Sequence, residues 1–183
     1  MKKFETISKY YIRFFGKRVF RFPVGGFSNC PNRDPYTKEG GCLYCDIKGS
    51  GSDFLDYKLS IKEQIEGRLK EDKNYILYFQ PYTSTYKDEE ILIKNIEEGL
   101  KYRQFLGVSI GTRADCISDR MWEYLGRLNK KTYLELEIGL QSAKEETLKF
   151  IKRGHTLKDF EEAVKKGEKL NINLIVHIIL GLP

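Results

Sequence analysis

Apolar and polar positions along the chain switch between two periods. Short runs of alternating or continuous apolar character at 19–24 (VFRFPV), 75–80 (YILYFQ), 105–110 (FLGVSI), 133–138 and 171–179 (NINLIVHII) predict five strands. The stretches between the later runs carry helical periodicity and helix-start signals. Ser60 and Glu63 form a capping-box pair that opens a helix over 60–72. Further helices are expected over 88–102, with Ile91, Ile96 and Leu100 among its buried positions, over 118–129 and 143–151, and over 156–170, where Thr156 and Asp159 suggest another cap. Residues 1–18 (ending KYYIRFFGKR) are aromatic and basic, and read as a short helix or arm beside a main domain at 19–183.

After a long first connection, each strand is followed by a helical stretch and then the next strand. That is the signature of successive βα units on a parallel sheet. Right-handed crossovers would curl such units into a barrel or lay them in an open, doubly wound sheet. No G-x-G-x-x-G turn follows the first strand, which disfavours the dinucleotide-binding version of the open sheet. The expected class is therefore α/β, a partial TIM-type (β/α) barrel of parallel strands that is truncated after its fifth strand at Gly181-Leu182-Pro183. A last strand without a covering helix predicts self-association through that edge.

Parity then assigns faces, because alternate side chains of a barrel strand point to the lumen and to the helices. Leu134, Leu136 and Ile138 take the helix side of the fourth strand, leaving Glu135, Glu137, Gly139 and Gln141 inside. Leu106, Val108 and Ile110 do the same in the third, so Gly107, Ser109 and Gly111 lead inward to Arg113. His177 falls inside the fifth strand, and Gln80 with 81–85 leaves the top of the second. Polar groups thus gather at the carboxyl-terminal rim, where barrels keep their chemistry. The bland reading is that Glu137 pairs with a lumen arginine and His177 is a hydrogen-bonded core residue.

The long first connection brings cysteines to that rim. Cys42 and Cys45 form a C-x2-C pair, and Cys30 precedes them across a loop rich in Gly, Pro and Asn. Thiolates in this pattern suit zinc, copper(I) or an iron–sulfur centre. Structural zinc usually takes four protein ligands, whereas three thiolates on a four-iron cluster leave one iron open. Recruitment of Cys116 into an all-thiolate zinc site, or three buried cysteines without metal, would also satisfy the spacing. Positions 1–15 show no signal peptide and no window has the apolar length of a membrane span, so a cytoplasmic location without membrane contact is expected. Reducing conditions there keep thiolates free. The net charge of +6 and pI near 9.0 are compatible with an RNA partner, although the lysines are dispersed over helices.

Taken in order, GGF at 25–27, CPNRD at 30–34, GGCLYC at 40–45, YFQPYTSTY at 78–86, GTRADC at 111–116, LEIGLQS at 136–142, IKRGH at 151–155 and HIILGLP at 177–183 resemble the radical S-adenosylmethionine (SAM) enzymes. The resemblance is closest to the YhcC-like branch, related to the catalytic subunit of Elongator, in which the gap between the first two cysteines is wide. It implies a [4Fe-4S] cluster on Cys30, Cys42 and Cys45. It also implies S-adenosyl-L-methionine chelated to the open iron and cleaved by a cluster electron to a 5'-deoxyadenosyl radical, which abstracts hydrogen from a substrate. A reductant such as flavodoxin or ferredoxin would supply the electron, and the kinship makes tRNA a candidate substrate. By the same resemblance Tyr44 lies near the adenine, Gln141 and Arg153 near the ribose and methionine carboxylate, His177 at the ribose, and Ile179 and Gly181 at the adenine. The Gly-Gly-Glu motif that holds the methionine amino group in relatives is absent, so Gln80, Thr83, Ser84 or backbone carbonyls must replace it. Arg113 and Glu137 complete the expected cofactor pocket, and Cys116 stays outside the cluster. Two other functions compete with this one. The chain would be either an RNA-binding module structured by metal or cluster, or an inactive stub.

Overall fold

The computed structural model describes residues 4–25, 29–34, 40–45, 55–56 and 58–183. Within them five strands, β1 (Val19–Val24), β2 (Asn74–Phe79), β3 (Phe105–Thr112), β4 (Tyr133–Gln141) and β5 (Asn173–Ile178), form one parallel sheet in the order β1-β2-β3-β4-β5. Sequential order with no reversal of direction across the sheet is that of a barrel wall rather than a doubly wound sheet. The wall is not closed, since β1 and β5 are the two edges.

Six α-helices accompany the described strands: α1 (Ile7–Phe15), α2 (Ile61–Glu66), α3 (Glu89–Gly99), α4 (Asp119–Asn129), α5 (Glu145–Phe150) and α6 (Leu157–Lys169). Their starts follow the capping chemistry in the sequence. Ser60/Glu63 and Thr156/Asp159 each form a reciprocal capping box, and Ser118 accepts from the Met121 amide. The helix expected over 60–72 stops at Glu66. Gly67, a poor helix former, ends it, and Arg68 turns away to donate to the Pro23 carbonyl at 2.7 Å. Ile91, expected to be buried, is exposed, because the packed stripe of α3 runs through Leu92, Asn95, Ile96 and Gly99.

The main core lies between the outer sheet face and the helices. Leu77, Phe79, Val108, Ile110, Leu134, Leu136 and Ile138 meet Ile65, Leu92, Ile96, Met121 and Leu125. Leu106 departs from the expected parity. Tyr75 pairs with Phe105 but Ile76 with Gly107, so Leu106 is the extra residue of an irregularity and packs instead with Tyr11, Val19 and Ile76. That second apolar group is where α1 docks, at the first residues of the strands. The aromatic arm is only partly used in packing: Tyr11 is buried, and Phe14 and Phe15 both touch Tyr133, while Phe4, Ile12 and Phe14 stay exposed. At the other edge the outer face of β5 is bare at Val176, beyond Leu174, and Ile178, also exposed, lies at the rim where the β4–β5 register shifts. Among the described residues no helix is long and apolar enough to cross a membrane.

Candidate functional site

Inside the sheet, alternation puts polar side chains on strands that are otherwise apolar. Near the amino-terminal end they neutralise one another. Arg21 bridges two buried carboxylates, Glu135 at 3.1 Å and Glu137 at 2.5 Å. Tyr11 and Tyr133 donate to Glu135 at 2.9 and 2.6 Å, while Tyr78 and Ser109 donate to Glu137 at 2.7 and 3.0 Å. His177 Nε2 completes the Glu137 shell at 2.8 Å. Burial alone would raise the Glu137 carboxyl, but the hydrogen bonds from His177 and Tyr78 and the charge of Arg21 outweigh it and hold the group at about 2. Glu137 therefore reaches the rim with both oxygens engaged by protein.

Above this network opens a cavity of about 330 Å³ at the carboxyl-terminal ends of the strands, a volume at the lower end of small-molecule sites. Its wall brings together Cys30, Cys42 and Cys45 with Tyr44, Gln80, Thr83, Arg113, Glu137, Gln141, Arg153, His177 and Ile179. Two expected residues, Gly181 and Ser84, are absent from the wall. Ser84 is buried, and its hydroxyl turns back to the Phe79 carbonyl at 3.2 Å. Tyr78, Tyr82 and Arg33 also line the cavity without having been singled out in the sequence. Tyr82 and Gln141 hold left-handed backbone conformations, φ 61° and 68°, in which non-glycine residues are strained.

The cysteine loop is held by the side chains between its thiols. Pro31–Arg33 forms a 3-10 turn, and the next residues anchor outward. Asn32 Nδ2 lies 3.1 Å from Cys42 Sγ, Arg33 donates to the Cys45 carbonyl at 3.0 Å, and buried Asp34 accepts from Tyr86 at 2.9 Å and pairs with Lys87. Gly41 turns at φ 96°, where a Cβ would meet the Arg33 guanidinium at 3.0 Å. Gly26 and Phe27 of the first motif lie outside the described residues.

Two buried arginines face the cavity with different commitments. Arg113 donates to Asp115 at 2.9 and 2.5 Å, to the Gly154 carbonyl at 3.0 Å, and to Asn32 Oδ1. Arg153 Nη2 donates to the Gly139 carbonyl at 2.9 Å and Nη1 stands 4.0 Å from Cys42 Sγ, but its Nε is buried with no partner. A buried guanidinium with an unused donor suits an incoming anion such as a carboxylate. Tyr44 lies near Arg153 and Cys42, its hydroxyl pushed well above its usual range, first by burial and further by Cys42.

All four cysteines are free thiols. Cys116 does not line the cavity. Burial, helped by Asp115, pushes its thiol up to about 12, so it stays protonated at neutral pH. Among the described residues no three His, Cys, Asp or Glu are gathered tightly enough for one metal ion. Three thiols on one wall, a hydrogen-bond donor at the buried one and an uncommitted guanidinium nearby make a donor set that fits an iron–sulfur cluster with an anionic ligand.

Comparison with known proteins defines the class. Residues 29–183 match the model of the radical SAM superfamily, and the chain belongs to that superfamily. Within it the similarity runs to the YhcC-like branch. The chain is 37% identical to the uncharacterized protein YtqA of Bacillus subtilis, over its whole length and 58% of YtqA. It is 31% identical to protein YhcC of Escherichia coli over 93% of the chain and 56% of that protein. It thus spans little more than half the length of these curated relatives. Among solved structures, the Elp3 of Methanocaldococcus infernus with an N-terminal deletion superposes with a TM-score of 0.56 at 19% identity, covering 90% of this chain and 38% of that one. The cobalamin-dependent radical enzyme OxsB, solved with aqua-cobalamin and S-adenosylmethionine, gives 0.55 at 17%, covering 86% and 23%. Both likenesses are of fold.

Proposed function

We propose that the chain is a radical SAM enzyme whose cluster is held by Cys30, Cys42 and Cys45 and whose S-adenosylmethionine lies in the rim cavity. The observation that carries this reading is the convergence of the three thiols on the same wall as Arg153, whose buried Nε has no partner. When bound, the [4Fe-4S] cluster supplies the electron that cleaves SAM to a 5'-deoxyadenosyl radical able to abstract hydrogen. The protein's part is to bind and orient. Arg153 offers its free donor to the methionine carboxylate, while Gln141 and His177 offer polar contacts to the ribose. Tyr44 and Ile179 border the adenine. Gln80 and Thr83, with neighbouring carbonyls, take the amino group. Glu137 holds His177 in place rather than meeting the cofactor itself.

Electron-paramagnetic spectra of anaerobically reconstituted, reduced protein test this directly. A cluster signal that changes on adding SAM is expected, and a colourless protein holding one zinc per chain would contradict the reading. A flavodoxin or ferredoxin is the proposed reductant, and the cytoplasm the proposed compartment. tRNA is the proposed substrate class, supported by relatedness and by the +6 charge. Added tRNA should raise 5'-deoxyadenosine turnover over a protein-only control. The bare face of β5 supports edge-mediated self-association, read as scattering mass that rises with concentration and falls in Val176→Lys.

A further inference from the structure

Asn32 is 3% exposed, and its side chain joins three segments. Its Nδ2 faces Cys42 Sγ at 3.1 Å and the carbonyls of Lys152 and Arg153 at 2.7 and 3.0 Å. Its Oδ1 accepts from Arg113, and its backbone carbonyl accepts from the Gly41 amide at 2.8 Å. The Arg113 contact sets the amide's orientation, because a flipped amide would turn its NH2 against a guanidinium donor. Three acceptors compete for two hydrogens on Nδ2, and a thiolate is a stronger acceptor than a carbonyl. Gly154 supplies an independent sign that the joint is tight. Its φ is 80°, and a Cβ there would stand 2.6 Å from Asn32 Oδ1 and 3.0 Å from Arg113 Nη1. The chain has given up a side chain to press backbone against this amide.

We infer that Asn32 is a positioning residue: it fixes Cys42 against the 152–154 loop, and by donating to the sulfur it raises the reduction potential of the cluster. The inference rests on the reading that Cys42 is a cluster ligand. Hydrogen bonds to ligand sulfurs stabilise the more negative, reduced state, so their loss lowers the potential. The donor falls on the most buried of the three thiols, where solvent competes least.

Two readouts test it. In the metal-free chain, alkylation of each cysteine by iodoacetamide is followed by peptide mass spectrometry. With the reaction run at a pH alkaline enough that all three cysteines react as thiolates in both proteins, Asn32→Ala should speed Cys42 about tenfold, the equivalent of one lost hydrogen bond to the attacking sulfur, and by more than it speeds Cys30 or Cys45. No change, or an equal rise at all three, would overturn the positioning role. In the reconstituted protein, a dye-mediated potentiometric titration followed by paramagnetic signal should give a lower midpoint for Asn32→Ala than for wild type. Gly154→Ala, which displaces the amide without deleting it, should shift the midpoint the same way and carries the measurement if Asn32→Ala holds no cluster. Unchanged or raised midpoints would overturn the tuning role. Failure of the wild-type chain to take up a cluster would instead overturn the cluster reading, and the alkylation ratio would still decide whether Asn32 positions Cys42.

Discussion

At the amino-terminal end of the inner sheet face, Arg21 meets Glu135 and Glu137, and four hydroxyl groups donate to the two carboxylates. At the carboxyl-terminal end, Arg153 is more deeply buried than Arg21 and has a donor without an acceptor, beside three free thiols. Both regions place charge in a low-dielectric interior, where an unpaired polar group is costly. The lower network is complete within the chain and does structural work. The upper one leaves the Arg153 Nε without a partner, at the cavity where the cofactor is proposed to lie.

The comparison breaks first at Glu137. Glu137→Ala would leave Arg21, Tyr78 and His177 without their shared acceptor. Removal of one member of a buried ion pair costs about 3–5 kcal/mol, and solvent access to Arg21 and His177 puts the expected loss at about 3 kcal/mol. Urea unfolding measures it, and a loss below about 1 kcal/mol would show that the lower network is not structural. The same group sets an acid limit. Its carboxyl lies at about 2 in the folded chain against an ordinary 4.5, so its contribution, again about 3 kcal/mol, is complete above pH 4.5 and is lost as pH falls through about 2. Glu137→Gln should flatten that part of the pH–stability curve.

Arg153→Ala tests the other half of the contrast. It should leave the unfolding midpoint nearly unchanged and weaken SAM binding to the reconstituted protein by about 1.5–3 kcal/mol, roughly tenfold or more in Kd. Calorimetry under anaerobic conditions reads the affinity, and an unchanged value would remove Arg153 from the site. The smallest effect is expected for Tyr133→Phe. Glu135 keeps Tyr11 and Arg21, so the loss of one hydroxyl should cost about 1 kcal/mol and leave SAM affinity untouched.

Much of this arrangement was legible in the chain itself, for identifiable reasons. Period-two alternation located all five strands and put Glu137, Gln141 and His177 inside, because a one-residue slip would have turned Leu134, Leu136 and Ile138 out of the core. It failed at Leu106, where an irregularity in the pairing with β2 reverses the side that parity predicts. Capping pairs located helix starts, but Ser60–Glu63 said nothing about how early Gly67 would end that helix. The cavity wall was read from motif residues, yet the side chains that hold it were not. Asn32 and Asp34 act through contacts with residues far away in sequence, and no local pattern distinguishes an anchoring Asn from a loop Asn. Arg113 shows the same limit from the other side. It lines the cavity as expected, but its donors are spent on Asp115, Asn32 and the Gly154 carbonyl. Ser84, chosen for its hydroxyl, spends that group on its own backbone.

The central claim is that the upper region is incomplete because it carries a cluster on three thiols and not four. Anaerobic reconstitution of Cys30→Ala, Cys42→Ala, Cys45→Ala and Cys116→Ala, followed by iron and sulfide analysis and a dithionite assay for 5'-deoxyadenosine, tests it most directly. The account predicts that each of the first three variants loses the stable centre and SAM cleavage together, whereas Cys116→Ala retains about four irons and four sulfides per chain. A full centre with cleavage in any of the first three, or its loss in Cys116→Ala as well, would contradict it.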